Sequence, residues 1–155
     1  MRKEKIISSV QFIFRIILGG LLIFAGILKI QDNTALFESV AYITWLPIGI
    51  KSLIIDFLPW VEIAVGGLLV LHVLDKVMIP LTGLIYLSFL IFAIWGLGSG
   101  LEVDCGCFGD LDDTSLIGAL LGSEISMQMV IRNSIFVLMT GFLFWKPGSS
   151  ENTTD

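Results

Sequence analysis

The chain contains two cysteines, Cys105 and Cys107, set one residue apart in Glu102-Val103-Asp104-Cys105-Gly106-Cys107-Phe108-Gly109-Asp110. Gly106 frees the backbone between the sulfurs, and a turn there brings the Cα atoms within the roughly 4.4–6.8 Å that a disulfide tolerates. Three chemistries are open to such a pair: a redox couple, half of a soft-metal site, or a structural staple. Thiol–disulfide exchange needs an accessible sulfur, a second cysteine to resolve the mixed disulfide, and a fraction of thiolate. The pair supplies the first two. Asp104 and Asp110 oppose the third, since negative charge beside a thiol disfavours the thiolate, so a nearby cation has to offset them. Copper(I) or zinc accepts two thiolates, but no neighbouring Met or His completes a ligand set. Redox work is the leading reading, and no metal is expected.

The elements that position this pair are membrane helices. The 155 residues are 55% hydrophobic and 15% charged, with a mean hydropathy of +0.93. A water-soluble core of this size cannot absorb so much apolar surface. One histidine and two cysteines argue against haem, iron–sulfur or a full zinc site, and no basic patch points to nucleic acid. The fold class expected is all-α: a polytopic four-helix membrane bundle with a short interfacial helical loop and an outward-facing cysteine loop. Spans are expected over about 8–30, 57–74, 77–97 and 126–145, within one membrane domain (1–148) followed by a disordered tail (149–155). The apolar run from Ile6 to Ile30 exceeds a signal-peptide core and reads as a retained first span. Pro59 fits the first turn of the second span, and Pro80 marks entry to the third.

Four spans place both termini on one side. Arg2, Lys3, Lys5, Lys76 and Lys146 gather there, so the positive-inside rule makes it the cytoplasmic side of a bacterial inner membrane. The opposite, periplasmic side receives residues 31–56 and 98–125; the latter carry Glu102, Asp104, Asp110, Asp112, Asp113 and Glu124 and no Lys or Arg. Disulfides persist on that side. Ala35 to Trp45 has apolar residues at helical spacing and reads as an interfacial amphipathic segment. Leu46-Pro47 ends it, and Ile48 to Ile55 forms a second short piece. Ser115 is placed to cap a short helix running through Leu121 before Gly122.

Ionisable residues inside spans are costly and mark function. Counted at 1.5 Å per residue, Lys29, Glu62 and Arg132 all fall within roughly 10 Å of the outer boundary, the level of the cysteine loop. Lys29, Glu62, Arg132, Cys105 and Cys107 can therefore converge. Glu62 reads either as half of a packing ion pair or as a proton acceptor, and the two roles are compatible. Arg15, near the inner end, snorkels or meets a lipid phosphate; His72 reads as interfacial, and Asn133 as a partner for a neighbouring helix. Tyr86, Phe89, Phe92 and Trp95 recur at helical spacing and suit packing or the flanks of a planar ring. Arg15…Gly19-Gly20-Leu21-Leu22…Lys29 is echoed by Glu62…Gly66-Gly67-Leu68-Leu69…Lys76 at the same spacing, a pattern whose small residues permit close helix approach.

These residues carry a resemblance. Arg15…Leu18-Gly19…Phe24-Ala25-Gly26…Lys29, Phe37…Tyr42…Leu46-Pro47, Leu58-Pro59-Trp60-Val61-Glu62…Gly66…Leu69, Cys105-Gly106-Cys107-Phe108-Gly109 and Arg132-Asn133 together resemble the methylamine utilisation protein MauE family, within the DoxX-like membrane proteins. The resemblance covers nearly all of residues 12–145, and residues 111–125 look longer and more acidic than the family pattern. It implies extracytoplasmic redox maturation. In methylamine-utilising bacteria such proteins are needed to make methylamine dehydrogenase, whose small subunit is rich in disulfides. DoxX-like relatives are tied to quinone reduction, and others adjoin thioredoxin-like proteins.

The resulting expectation is a membrane thiol–disulfide oxidoreductase or maturation factor. Cys105 and Cys107 cycle between dithiol and disulfide, with Glu62 beside them handling protons. Lys29, Arg132 and Trp60 are the candidate residues for a quinone, the cofactor this reading calls for. The partners are a periplasmic thioredoxin-like or disulfide-containing protein and the lipid bilayer, with no nucleic acid. The alternative is a non-enzymatic membrane scaffold for a periplasmic redox protein, with a static Cys105–Cys107 bridge.

Overall fold

The computed structural model of the protein describes residues 2–100 and 127–144. Cys105 and Cys107, the expected 115–121 helix and the tail after Phe144 lie outside them. The described residues form α1 (Arg2–Gln31), α2 (Thr34–Ala41), α3 (Ile48–Val70), α4 (Asp75–Gly98) and α5 (Met127–Phe144). All but α2 are long and apolar enough to cross a membrane, and the protein is a multi-pass helical membrane protein.

The four long helices form a ring in which α1 packs on α3 and α5, and α4 packs on α5 and α3. Leu18, Leu22, Val65, Leu69, Tyr86, Phe89, Met129 and Phe136 fill the interior. The Tyr86 hydroxyl crosses the ring to donate to the Leu18 carbonyl oxygen at 2.8 Å. The outside is as apolar as the inside: Leu138 is 72% exposed and Leu84 61%. Such a surface suits lipid rather than water.

Connectivity gives the bundle two ends. At one, here the turn end, α1 begins, α3 turns into α4 and α5 finishes. At the other, the loop end, sit α2, the close of α4 and the start of α5. The α1–α3 contact is the tightest in the ring. A β-carbon on Gly26 would come within 2.6 Å of the Pro59 carbonyl oxygen, and one on Gly19 within 2.7 Å of that of Gly66, so the two backbones touch at two points seven residues apart.

The helices overrun the expected spans. Arg2, Lys3, Glu4 and Lys5 are good helix formers and extend α1 back from its apolar run. Pro47, at φ −59° and ψ 145°, stands immediately before α3, so the stretch Ile48–Ile55 is not a separate piece but the opening turns of that helix. Pro59 lies well inside α3 rather than in its first turn, and Pro80 lies inside α4. Membrane helices tolerate interior proline where neighbouring helices cover the freed backbone. The interfacial helix α2 ends at Ala41, four residues before Trp45.

The α3–α4 turn is a Schellman closure: Val73 N–H donates to Leu68 O at 3.0 Å and His72 N–H to Leu69 O at 3.3 Å. Its left-handed position is filled by His72 (φ 57°) rather than glycine, and Leu74 (φ 54°) is left-handed too. His72 is held from outside the turn. Its ring stacks on Phe12 at 5.8 Å, and its Nδ1 lies 2.9 Å from Arg15 Nη1.

Candidate functional site: a buried ion pair at the loop end

Lys29 ends α1 and Glu62 lies in the middle of α3. Side chains lean toward the N-terminus of their own helix, and the two helices run antiparallel, so Lys29 leans into the bundle and Glu62 leans to meet it. Lys29 Nζ donates to Glu62 Oε1 at 2.5 Å, with the side chains 1% and 0% exposed. The ammonium also lies 4.8 Å from the centre of the Phe89 ring on α4, a cation–π contact that stabilises a desolvated charge.

Taking two charges out of water costs several kcal/mol each, and here only part of the carboxylate is satisfied. Glu62 Oε2 is buried with no hydrogen-bond partner among the described residues, as are both amide atoms of Asn133 and the Thr82 hydroxyl. Gly83 faces Thr140 and Tyr86 faces Phe136 across the antiparallel α4–α5 pair. One further turn of that register brings Asn133 to the level of Phe89, and so of Lys29. A buried carboxylate oxygen with spare lone pairs and an unsatisfied amide at the same level are polar groups in an apolar bundle. Chemically, Glu62 Oε2 can accept a proton.

The sequence-derived candidates divide. Lys29 and Glu62 are brought into contact, and Arg132, half-buried, stands next to Asn133. Trp60 does not join them. Two residues before Glu62 on a helix, it points to the far side and is 61% exposed. The aromatic set on α4 also separates: Tyr86 and Phe89 face inward, whereas Phe92 and Trp95 line an outer groove of about 300 Å³ with Ile43, Trp45, Ser88 and Ile91. Cys105 and Cys107 belong to the connection between α4 and α5, whose described ends, Gly100 and Met127, both lie at the loop end.

A second polar cluster sits at the turn end. Arg15, read from the sequence as snorkelling or meeting a lipid phosphate, has protein partners too: its Nη1 donates to Asp75 Oδ1 at 2.5 Å as well as meeting His72. Asp75 opens α4, two residues ahead of the span expected from the sequence, where a carboxylate looks like an ordinary loop residue. The signal available was that Arg15 and Asp75 fall at the same end of the first and third spans.

The family model for methylamine utilisation protein MauE matches residues 7–146. No curated protein and no solved structure matches the chain. The matched region takes in the glycine contact of α1 with α3, the Lys29–Glu62 pair and the cysteine-bearing connection, nearly the whole chain, and the protein belongs to the MauE family.

Proposed function

We propose that the protein is a membrane redox protein that passes electrons between extracytoplasmic protein thiols and the membrane quinone pool through Cys105 and Cys107. The observation that carries this reading is the fully buried Lys29–Glu62 pair at the end of the bundle to which the cysteine-bearing connection is tied. The turn end, with Arg2, Lys3, Lys5, Lys76 and Lys146, is then cytoplasmic, and the lysine- and arginine-free 98–125 segment periplasmic. Its partner there is a thioredoxin-like or disulfide-containing protein.

In the oxidising direction, a thiolate of the partner attacks one sulfur of the Cys105–Cys107 disulfide. The mixed disulfide resolves when the partner's second thiolate displaces that cysteine, leaving a disulfide on the partner and a dithiol at Cys105 and Cys107. Two electrons and two protons have moved, and the reverse direction has the same balance. Glu62 Oε2 is the atom able to take up a proton, and Lys29 holds the carboxylate in place. A quinone supplies the acceptor for two electrons and two protons when bound. The apolar, aromatic groove of Ile43, Trp45, Ile91, Phe92 and Trp95 fits its chemistry, whereas the sealed Lys29–Glu62 contact and the outward Trp60 fit it less well.

Thiol trapping in intact membranes tests this. A membrane-impermeant maleimide labels the reduced pair, and adding a quinone analogue protects it, if the pair is redox-active and outward-facing. A pair that labels only after strong reductant under denaturing conditions is a structural bridge, and the protein is then a scaffold for a periplasmic redox partner.

A further inference from the structure

At the turn end, α1, α4 and α5 enclose a cavity of about 530 Å³ that has no part in the redox reading. Its lining is divided by chemistry. Arg15, Lys76 and Asp75 form one part, and Ile79, Leu143 and Phe144 another. The two cations outnumber the carboxylate, and that carboxylate is already engaged by Arg15. Ile79 and Leu143 are buried, while Lys76 and Phe144 are exposed, so the cavity runs from the bundle interior to its outer surface.

The level of the cavity matters as much as its lining. Gly19 opposes Gly66, which sets Arg15 beside the close of α3 at Val70 and the start of α4 at Asp75, where two of the candidate spans end. Basic residues also flank this end in the sequence: Arg2, Lys3 and Lys5 precede Arg15, and Lys146 follows α5 by two residues. A pocket with fixed positive charge at the ends of the spans and an apolar wall on its bilayer side matches an amphiphile carrying one negative phosphate. Bare phosphate leaves that wall unused, and a neutral lipid leaves the excess charge unanswered.

We propose that this cavity binds an anionic phospholipid, with its phosphate at Arg15 and Lys76 and its acyl chains against Ile79, Leu143 and Phe144. The bound lipid ties α1, α4 and α5 together at the end where the ring has only the short α3–α4 turn.

The test is native mass spectrometry of the full-length protein in detergent, titrated with phosphatidylglycerol, with phosphatidylcholine or with inorganic phosphate. The expected result is one tightly retained phosphatidylglycerol and weaker phosphatidylcholine. Lys76→Gln, an exposed change that spares the Arg15–Asp75 pair, weakens phosphatidylglycerol by about fivefold, the effect of one juxtamembrane cation, and Lys76→Glu weakens it further. Phe144→Ser weakens retention of the lipid through loss of its apolar wall. Equal retention of the two lipids, phosphatidylglycerol binding unmoved by Lys76→Glu, or displacement of the lipid by millimolar phosphate would each overturn the proposal.

Discussion

Gly19 of α1 and Gly66 of α3 meet backbone to backbone: a β-carbon on Gly66 would stand 2.5 Å from the Gly19 carbonyl oxygen. The neighbour is main chain and cannot swing aside, so this contact sets the distance between the two helices and hence whether Lys29 reaches Glu62. Gly66→Ala is expected to lower stability by about 1–3 kcal/mol, the usual cost of overpacking, despite alanine's better helix propensity. Gly67→Ala, one residue on, meets nothing within 4 Å and is expected to be neutral or stabilising by up to about 1 kcal/mol. Thermal unfolding of the two variants in the same detergent checks the contrast.

Tyr86 is the one described side chain whose hydroxyl crosses the ring to the backbone of the opposite helix, donating to Leu18 O. Leu18 O lies within helix α1, so deleting the hydroxyl strands no buried donor. Tyr86→Phe is expected to cost about 0.5–1.5 kcal/mol, whereas Tyr86→Ala, which also empties a packed site against Phe136, costs about 3–5 kcal/mol. Equal losses in the two variants would show that the hydroxyl, not the ring, carries the contact.

At the loop end, Asp32 Oδ1 accepts from the Thr34 amide at 2.9 Å, just ahead of α2. Hydrogen bonds from the Thr34 side chain and then its backbone hold the Asp32 carboxyl below the ordinary aspartate value. A carboxyl depressed in the folded state adds stability above its unfolded pKa of about 3.9 and loses it as pH falls through the folded value. Protection of the Phe37 amide, which closes the first turn of α2 on Asn33, should therefore decline below about pH 4. In Asp32→Asn the protection should be flat with pH. Amide exchange followed by NMR reads both.

How far these features were legible depends on what kind of signal each one leaves. Four apolar runs and the levels of Lys29 and Glu62 follow from counting residues, because a membrane fixes the length of what crosses it. The start of α3 does not: Lys51 and Asp56 break the apolar pattern, and Pro59 imitates a helix start, while tertiary cover lets the helix run from Ile48. Trp60, a candidate quinone residue, stands two residues from Glu62 in sequence, yet at 100° per residue it faces the opposite way. The repeated Gly-Gly-Leu-Leu was visible as an echo, but that Gly19 and Gly66 touch required the antiparallel register. Asp75 was invisible as a partner for Arg15 because a charged residue at the mouth of a span needs no special explanation.

The Lys29–Glu62 pair separates architecture from chemistry. Removing one member leaves the other charge buried, and Lys29→Met or Glu62→Leu alone is expected to cost about 3–5 kcal/mol. The double variant Lys29→Met/Glu62→Leu leaves no orphaned charge and fills the space with apolar atoms, so its stability should return to within about 1–2 kcal/mol of the parent, as for other buried pairs replaced by hydrophobic residues. Thiol exchange at Cys105 and Cys107, measured on that stable double variant, then isolates the chemical role. Loss of quinone-dependent reoxidation with the fold restored marks the Lys29–Glu62 pair as part of the chemistry. Retention of full activity assigns the pair to helix packing and excludes Glu62 as the proton acceptor.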